Sequence, residues 1–134
     1  GDAFGGLAVP WHLTTREFVA EIQRILRPEG IYLINVIDYP PLAFARAEVA
    51  TLRDVLAHVA LIAPEERVEG HAGGNLVLVA SDSPIPSEAI LEANRLRFGD
   101  DAIIADDAEL AGFIDGAAVL TDDFAPVDQL LSQR

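Results

Sequence analysis

Asp2, Asp38 and Tyr39 are the residues of this chain best placed by type and spacing to do chemistry. Asp2 opens the stretch Asp2-Ala3-Phe4-Gly5-Gly6, and Asp38 directly follows the apolar run from Ile31 to Ile37. In a parallel α/β sheet, such positions fall at the carboxyl ends of neighbouring strands, where ligands sit. Two carboxylates facing one crevice bind a primary ammonium and can take its proton. Tyr39 beside them offers a ring face to the same cation. Asp38 and Tyr39 also have plain structural readings. Asp38 can cap a helix that starts at Pro41, and Tyr39 can plug the core ahead of Pro40-Pro41.

The other constellations are poorer. His12, His58 and His71 are too far apart in sequence to suggest a metal site, so none is expected. No G-x-S-x-G elbow is present for a serine nucleophile. With no cysteine, disulfides and thiolate ligands are excluded. Asp106-Asp107 and Asp122-Asp123 each precede a helix or turn, where carboxylates complement the helix dipole rather than bind a cation.

The elements that must position these residues follow from pattern. Thr14 with Glu17 has capping-box spacing. Phe18, Ile22, Ile25 and Leu26 continue at helical spacing until Pro28 and Gly30 stop the helix. Ile31 to Ile37 is a β-branched run suited to a strand covered on both faces. Pro40-Pro41 turns the chain into a second helix with the stripe Leu42, Ala45, Val49, Leu52, Val55 and Leu56. Val59–Ala63 and Asn75–Ser81 read as strands joined by a polar loop from Pro64 to Gly74, which permits a long hairpin. Beyond Pro84 and Pro86 come a helix at Ser87–Arg97, another from Asp106-Asp107 to Gly112 or Gly116, an apolar strand-like piece at Ala117–Leu120 and a last turn at Pro126–Leu131. Phe124 is expected to anchor the turn into that last helix.

The order helix, strand, helix, strand, strand predicts an α/β fold: the closing half of a Rossmann-like methyltransferase sheet, a mixed sheet ending in an antiparallel hairpin, plus a helical tail. Residues 1–82 form that half and 83–134 an appendage packed on the same domain. No G-x-G-x-x-G opens a strand, since Gly5-Gly6 and Gly73-Gly74 are isolated pairs, and the chain has no methionine. Both features read as a piece of a longer enzyme whose cofactor-binding half lies elsewhere.

At 134 residues and 51% hydrophobic content the chain suits one domain with a real core. Its net charge of −13 comes from 22 acidic residues against nine basic ones, all arginine. Such a surface repels nucleic acid and anionic membranes and attracts cationic small molecules such as amines. No signal peptide and no apolar stretch near the ~20 residues of a membrane span is present. The expectation is a cytoplasmic protein.

The stretches Asp2-Ala3-Phe4-Gly5-Gly6, Pro10 to Phe18, Leu26 to Gly30 and Leu120 to Asp128 together resemble the spermidine synthase-like proteins, aminopropyltransferase relatives with the methyltransferase fold. The resemblance implies decarboxylated S-adenosylmethionine or S-adenosylmethionine as co-substrate and a small amine as acceptor. It implies that Asp2 matches the first carboxylate of an Asp-x-x-Asp-Pro motif, which helps deprotonate the attacking amine. Gly5 and Gly6 stand where that motif has its second aspartate and its proline. Pro10 and Leu13 echo a Pro-Ala-x-x-Leu stretch that lines the thioether nucleoside. His71 is the one ring in the loop where the family carries a tyrosine.

The leading expectation is therefore a piece of an aminopropyl- or methyl-transferring enzyme, inactive and without cofactor by itself because the glycine loop is missing. The alternative is a non-catalytic binding or assembly module that keeps the fold. A cut sheet exposes the strand Ile31–Ile37, so a homo-oligomer is expected.

Overall fold

The structure, a computed structural model, describes residues 9–98, 102–104 and 106–131. Asp2, Gly5 and Gly6 lie outside the described residues.

A single 3-10 turn, Trp11–Leu13, leads into helix α1 (Arg16–Ile25). The cap is Thr15, whose hydroxyl accepts from the Phe18 N–H at 3.3 Å, and the Thr14–Glu17 box does not form. Thr14 belongs to the preceding turn, where its hydroxyl donates to the Trp11 carbonyl at 2.6 Å. The helix thus starts one residue later, and Glu17 is released for another partner. The buried side is correspondingly rotated. Val19 is buried, Phe18, Ile22 and Leu26 half-buried, and Ile25 exposed.

Strand β1 (Tyr32–Asp38) follows, then helix α2 (Ala43–Val55), strand β2 (His58–Pro64), a short helix α3 (Glu65–Val68) and strand β3 (Gly74–Ser81). The loop expected between Pro64 and Gly74 therefore contains one helical turn, with Glu65 and Glu66 at its amino end, where the dipole favours negative charge. Helix α4 (Ser87–Phe98), a three-residue strand β4 (Ala102–Ile104), helix α5 (Asp107–Phe113) and a final turn α6 (Val127–Leu130) complete the described chain.

The strands lie in the order β1-β3-β2-β4. The expected hairpin is present, with Val59 opposite Ala80 and Ile62 opposite Val77. Every ladder among the described residues is antiparallel, however, where a mixed sheet was expected. The reason lies in the connections. α2 carries the chain from β1 to β2 so that both run the same way, and the hairpin then inserts β3 between them. The expected cover on both faces of β1 is also corrected. Val36 and Asp38 are buried with Tyr32 and Ile34 on the core side, while Ile31, Leu33 and Ile37 are exposed on the other.

α2 is the centre of the molecule. Of the expected stripe, Leu42, Ala45, Val49, Leu52 and Leu56 are buried and Val55 is half-buried; Phe44, Ala47, Ala50 and Thr51, outside it, are buried as well. The sheet packs on one side of it, and α1 and α6 on others. Arg46 reaches out to α5, its guanidinium 5.4 Å from the Phe113 ring centre, a cation–π distance.

The tail is ordered, though differently from expectation. Ala117–Leu120 forms no strand, but Leu120 is fully buried against the core. Phe124 is 57% exposed, and its backbone rather than its ring makes the turn, pairing with Thr121. Val127 is the buried residue of this segment. Phe124→Ala is therefore expected to change unfolding free energy by less than about 0.5 kcal/mol in urea denaturation, as for other exposed positions.

Candidate functional site

The carboxyl end of β1 holds Asp38 and Tyr39. Asp38 is fully buried. One carboxylate oxygen accepts the Tyr39 N–H at 2.8 Å and the other accepts the Ala45 N–H at 3.0 Å. Ala45 is the third residue of α2, so Asp38 performs the capping work that the N-cap residue, Leu42, has no side-chain oxygen to do. Leu42 itself sits in the left-handed region, φ 61°, with its side chain completely buried. That conformation costs about 1–2 kcal/mol in a non-glycine residue, and full burial of the leucine contributes about 1.5–3 kcal/mol in return.

Tyr39 lies over the loop that precedes β3. A Cβ built on Gly73 would come within 2.1 Å of the Tyr39 ring, so only glycine lets the ring settle on this backbone. Asp38 is register partner to Gly74, which has φ 137°, and Arg67 from α3 folds back on it and donates to the Asn75 carbonyl at 3.0 Å. His71 in the same loop pairs with Glu69 at 3.2 Å on the surface. Asp38, Tyr39, the Gly73-Gly74 backbone, Arg67 and His71 thus share one end of the sheet.

Pro10 and Leu13 close their own turn, the Leu13 N–H donating to the Pro10 carbonyl at 2.9 Å. Both are half-buried, and Trp11 and His12 between them are exposed, their rings edge-on at 5.8 Å. The turn leads into α1, the Asp38–Tyr39 pair leads into α2, and the two helices pack together. The expected site residues that are described are therefore grouped in two pairs at the starts of adjacent helices.

One functional group escaped the sequence reading. Glu48 on α2 is buried with one carboxylate oxygen lacking any hydrogen-bond partner. Desolvation pushes its pKa from 4.5 up to about 8. On the neighbouring strand, burial and the Glu48 charge push the Tyr32 hydroxyl up to about 12. The signal was present: position 48 lies three after Ala45 and four before Leu52, inside the apolar stripe.

At the opposite end of β3, a cavity of about 220 Å³ is lined by His58, Ser87, Asp106 and Asp107 among others. Asp106 is committed to a capping box with Glu109, its carboxylate accepting the Glu109 N–H at 2.8 Å. Asp107 faces Arg53 at 3.8 Å. No group of three or more His, Asp or Glu among the described residues is arranged to hold a metal ion, and no described helix is long and apolar enough to cross a membrane.

Against this geometry, a solved structure described as a probable spermidine synthase from Corynebacterium glutamicum matches the chain with a TM-score of 0.78 and 32% sequence identity. The resemblance to the spermidine synthase-like proteins holds. The match covers 94% of this chain and 47% of the solved one, so the chain spans about half the length of that relative. No protein-family model and no curated protein matches the chain.

Proposed function

We propose that this chain is the carboxyl-terminal part of a spermidine synthase-like transferase with the methyltransferase fold. The observation that carries the reading is the match at 32% identity over 94% of the chain but only 47% of the solved structure. The order β1-β3-β2, with an antiparallel strand inserted between two that run the same way, supports it. Residues 1–82 belong to the half that carries β1, β2 and β3, and 83–134 to an appendage on the same domain that adds β4 to the sheet beside β2. The complete enzyme moves an aminopropyl or methyl group from a sulfonium nucleoside, decarboxylated S-adenosylmethionine or S-adenosylmethionine, to a small amine.

In this reading, Asp2 takes the ammonium proton, freeing the nitrogen lone pair to attack the sulfonium-bound carbon. Tyr39 flanks the amine. Asp38, with its oxygens engaged by backbone N–H groups, sets the place of Tyr39 beneath the site. Pro10 and Leu13 line the nucleoside, and the net charge of −13 draws the cationic amine. The enzyme acts in the cytoplasm as a homo-oligomer, a reading that the exposed Ile31 and Ile37 of the β1 region favour.

Calorimetric titration with methylthioadenosine and both sulfonium donors tests the assignment. The 134 residues alone are expected to show no micromolar binding, because the glycine-rich phosphate- or cofactor-binding turn is missing. A chain extended to the full length of the solved relative is expected to bind. Failure of the extended chain to bind any of the three ligands overturns the reading. The second reading, a non-catalytic assembly module, is favoured by Gly5 and Gly6 at the positions of the family's second aspartate and proline. It predicts that outcome.

A further inference from the structure

The tail segment around Leu120 is bonded to the start of α1 and not merely laid on the surface. The Arg16 N–H, first in α1 and without an acceptor inside the helix, donates to the Leu120 carbonyl at 2.8 Å. The Leu120 N–H donates to the buried Thr51 hydroxyl at 2.9 Å, 69 positions away in sequence. That hydroxyl in turn donates to the Ala47 carbonyl at 2.7 Å, which fixes its direction. Two residues on, the Asp122 N–H donates to the Glu17 carboxylate at 3.0 Å, across 105 positions. The hairpin-like pair Thr121–Phe124 then turns the chain back, and Val127 plugs the core.

We propose that Thr51, Glu17 and the Leu120–Asp122 backbone form a positioning strap for the Pro10–Leu13 turn. Trp11 to Leu13 is a single 3-10 turn with no buried residue of its own. It is held by two bonds from Thr14 to the Trp11 carbonyl, at 3.0 Å from the backbone N–H and 2.6 Å from the hydroxyl. Thr14 and Thr15 are themselves buried at the head of α1, the point where the strap attaches. Fixing Arg16 and Glu17 from the tail therefore fixes the base on which the turn stands. The strap makes residues more than 100 positions away in sequence part of the turn's support. Its consequence for nucleoside binding rests on the function proposed above; the strap itself does not.

Trp11 is the sole tryptophan of the chain, so its fluorescence reports the turn directly. Hydrogen exchange and acrylamide quenching of the full chain are measured without any ligand, which separates this proposal from the transferase assignment. In Glu17→Ala, the Asp122 and Arg16 amides are expected to exchange about tenfold faster and Trp11 quenching to rise, while the Leu78 amide in the central strand keeps its rate. Thr51→Val should do the same at Leu120 and Arg16, and Thr51→Ser, which restores the hydroxyl, should reverse it. Where Thr51→Val lowers global stability, Leu78 records that loss and the strap is read from the excess at Arg16. The proposal is overturned if Asp122 or Leu120 exchange rises alone, with Arg16 and Trp11 unchanged. It is equally overturned if Arg16 and Leu78 rise by the same factor.

Discussion

Glu48→Gln is expected to abolish a large alkaline loss of stability. The Glu48 carboxyl titrates near 8 in the folded chain against 4.5 when unfolded, because burial penalises its charged form. Below pH 4.5 it is neutral in both states and has no effect. Between the two values the folded state holds a proton that the unfolded state has released, so unfolding stability falls as pH rises and levels off above pH 8. The separation of the two pKa values corresponds to a loss on the order of 5 kcal/mol. Glutamine keeps the shape and stays neutral, so the difference in unfolding free energy between variant and parent should grow from pH 5 to pH 8.5. Urea denaturation at those two pH values measures it, and contributions from other titrating groups cancel in the difference. Parallel pH profiles for the two proteins would show that Glu48 is solvated or paired in solution.

Glu48 also marks where sequence reading reaches its limit in this chain. The stripe on α2 was legible because Leu42, Ala45, Val49 and Leu52 repeat at helical spacing, and all four are buried. A charged residue in that stripe was passed over, since periodicity weighs apolar positions and is silent about a polar one among them. The strands were legible from their β-branched runs, and so was the β2–β3 hairpin. That β3 also pairs with β1, and so lies between β1 and β2, depends on the helical crossover, which local pattern does not encode. β4 is three residues long, too short for any alternation to register. Phe124 shows the opposite error. Its size suggested an anchor, yet the Thr121–Phe124 pairing turns its ring outward and gives the anchoring to Val127. At the site, the place of Asp38 at the strand end was readable, and so was capping of the next helix as one of its two roles. The structure decides for the cap and adds the second bond, from the Tyr39 N–H, that local pattern does not encode.

That arrangement makes Asp38 the most informative residue to change. In Asp38→Ala, the N–H groups of Tyr39 and Ala45 lose their acceptor, and each unsatisfied buried donor costs about 1–3 kcal/mol. Losing the cap of α2 belongs to the same cost, so the sum is expected near 3–5 kcal/mol. Asp38→Asn separates charge from shape. Its amide oxygen can accept one of the two N–H groups, but its NH₂ turns a donor toward the other, so a loss of about 2 kcal/mol is expected. A carboxylate whose only task is to face a substrate would leave the unfolding free energy of Asp38→Asn unchanged, and that result would refute the capping role. The same variant tests whether Asp38 governs Tyr39. The Tyr39 ring lies on Gly73, so its ring current should shift the Gly73 amide resonance, and freeing the Tyr39 N–H should move that resonance toward its random-coil value. If Asp38→Asn is destabilised while the Gly73 resonance stays in place, Asp38 holds α2 and Tyr39 holds itself.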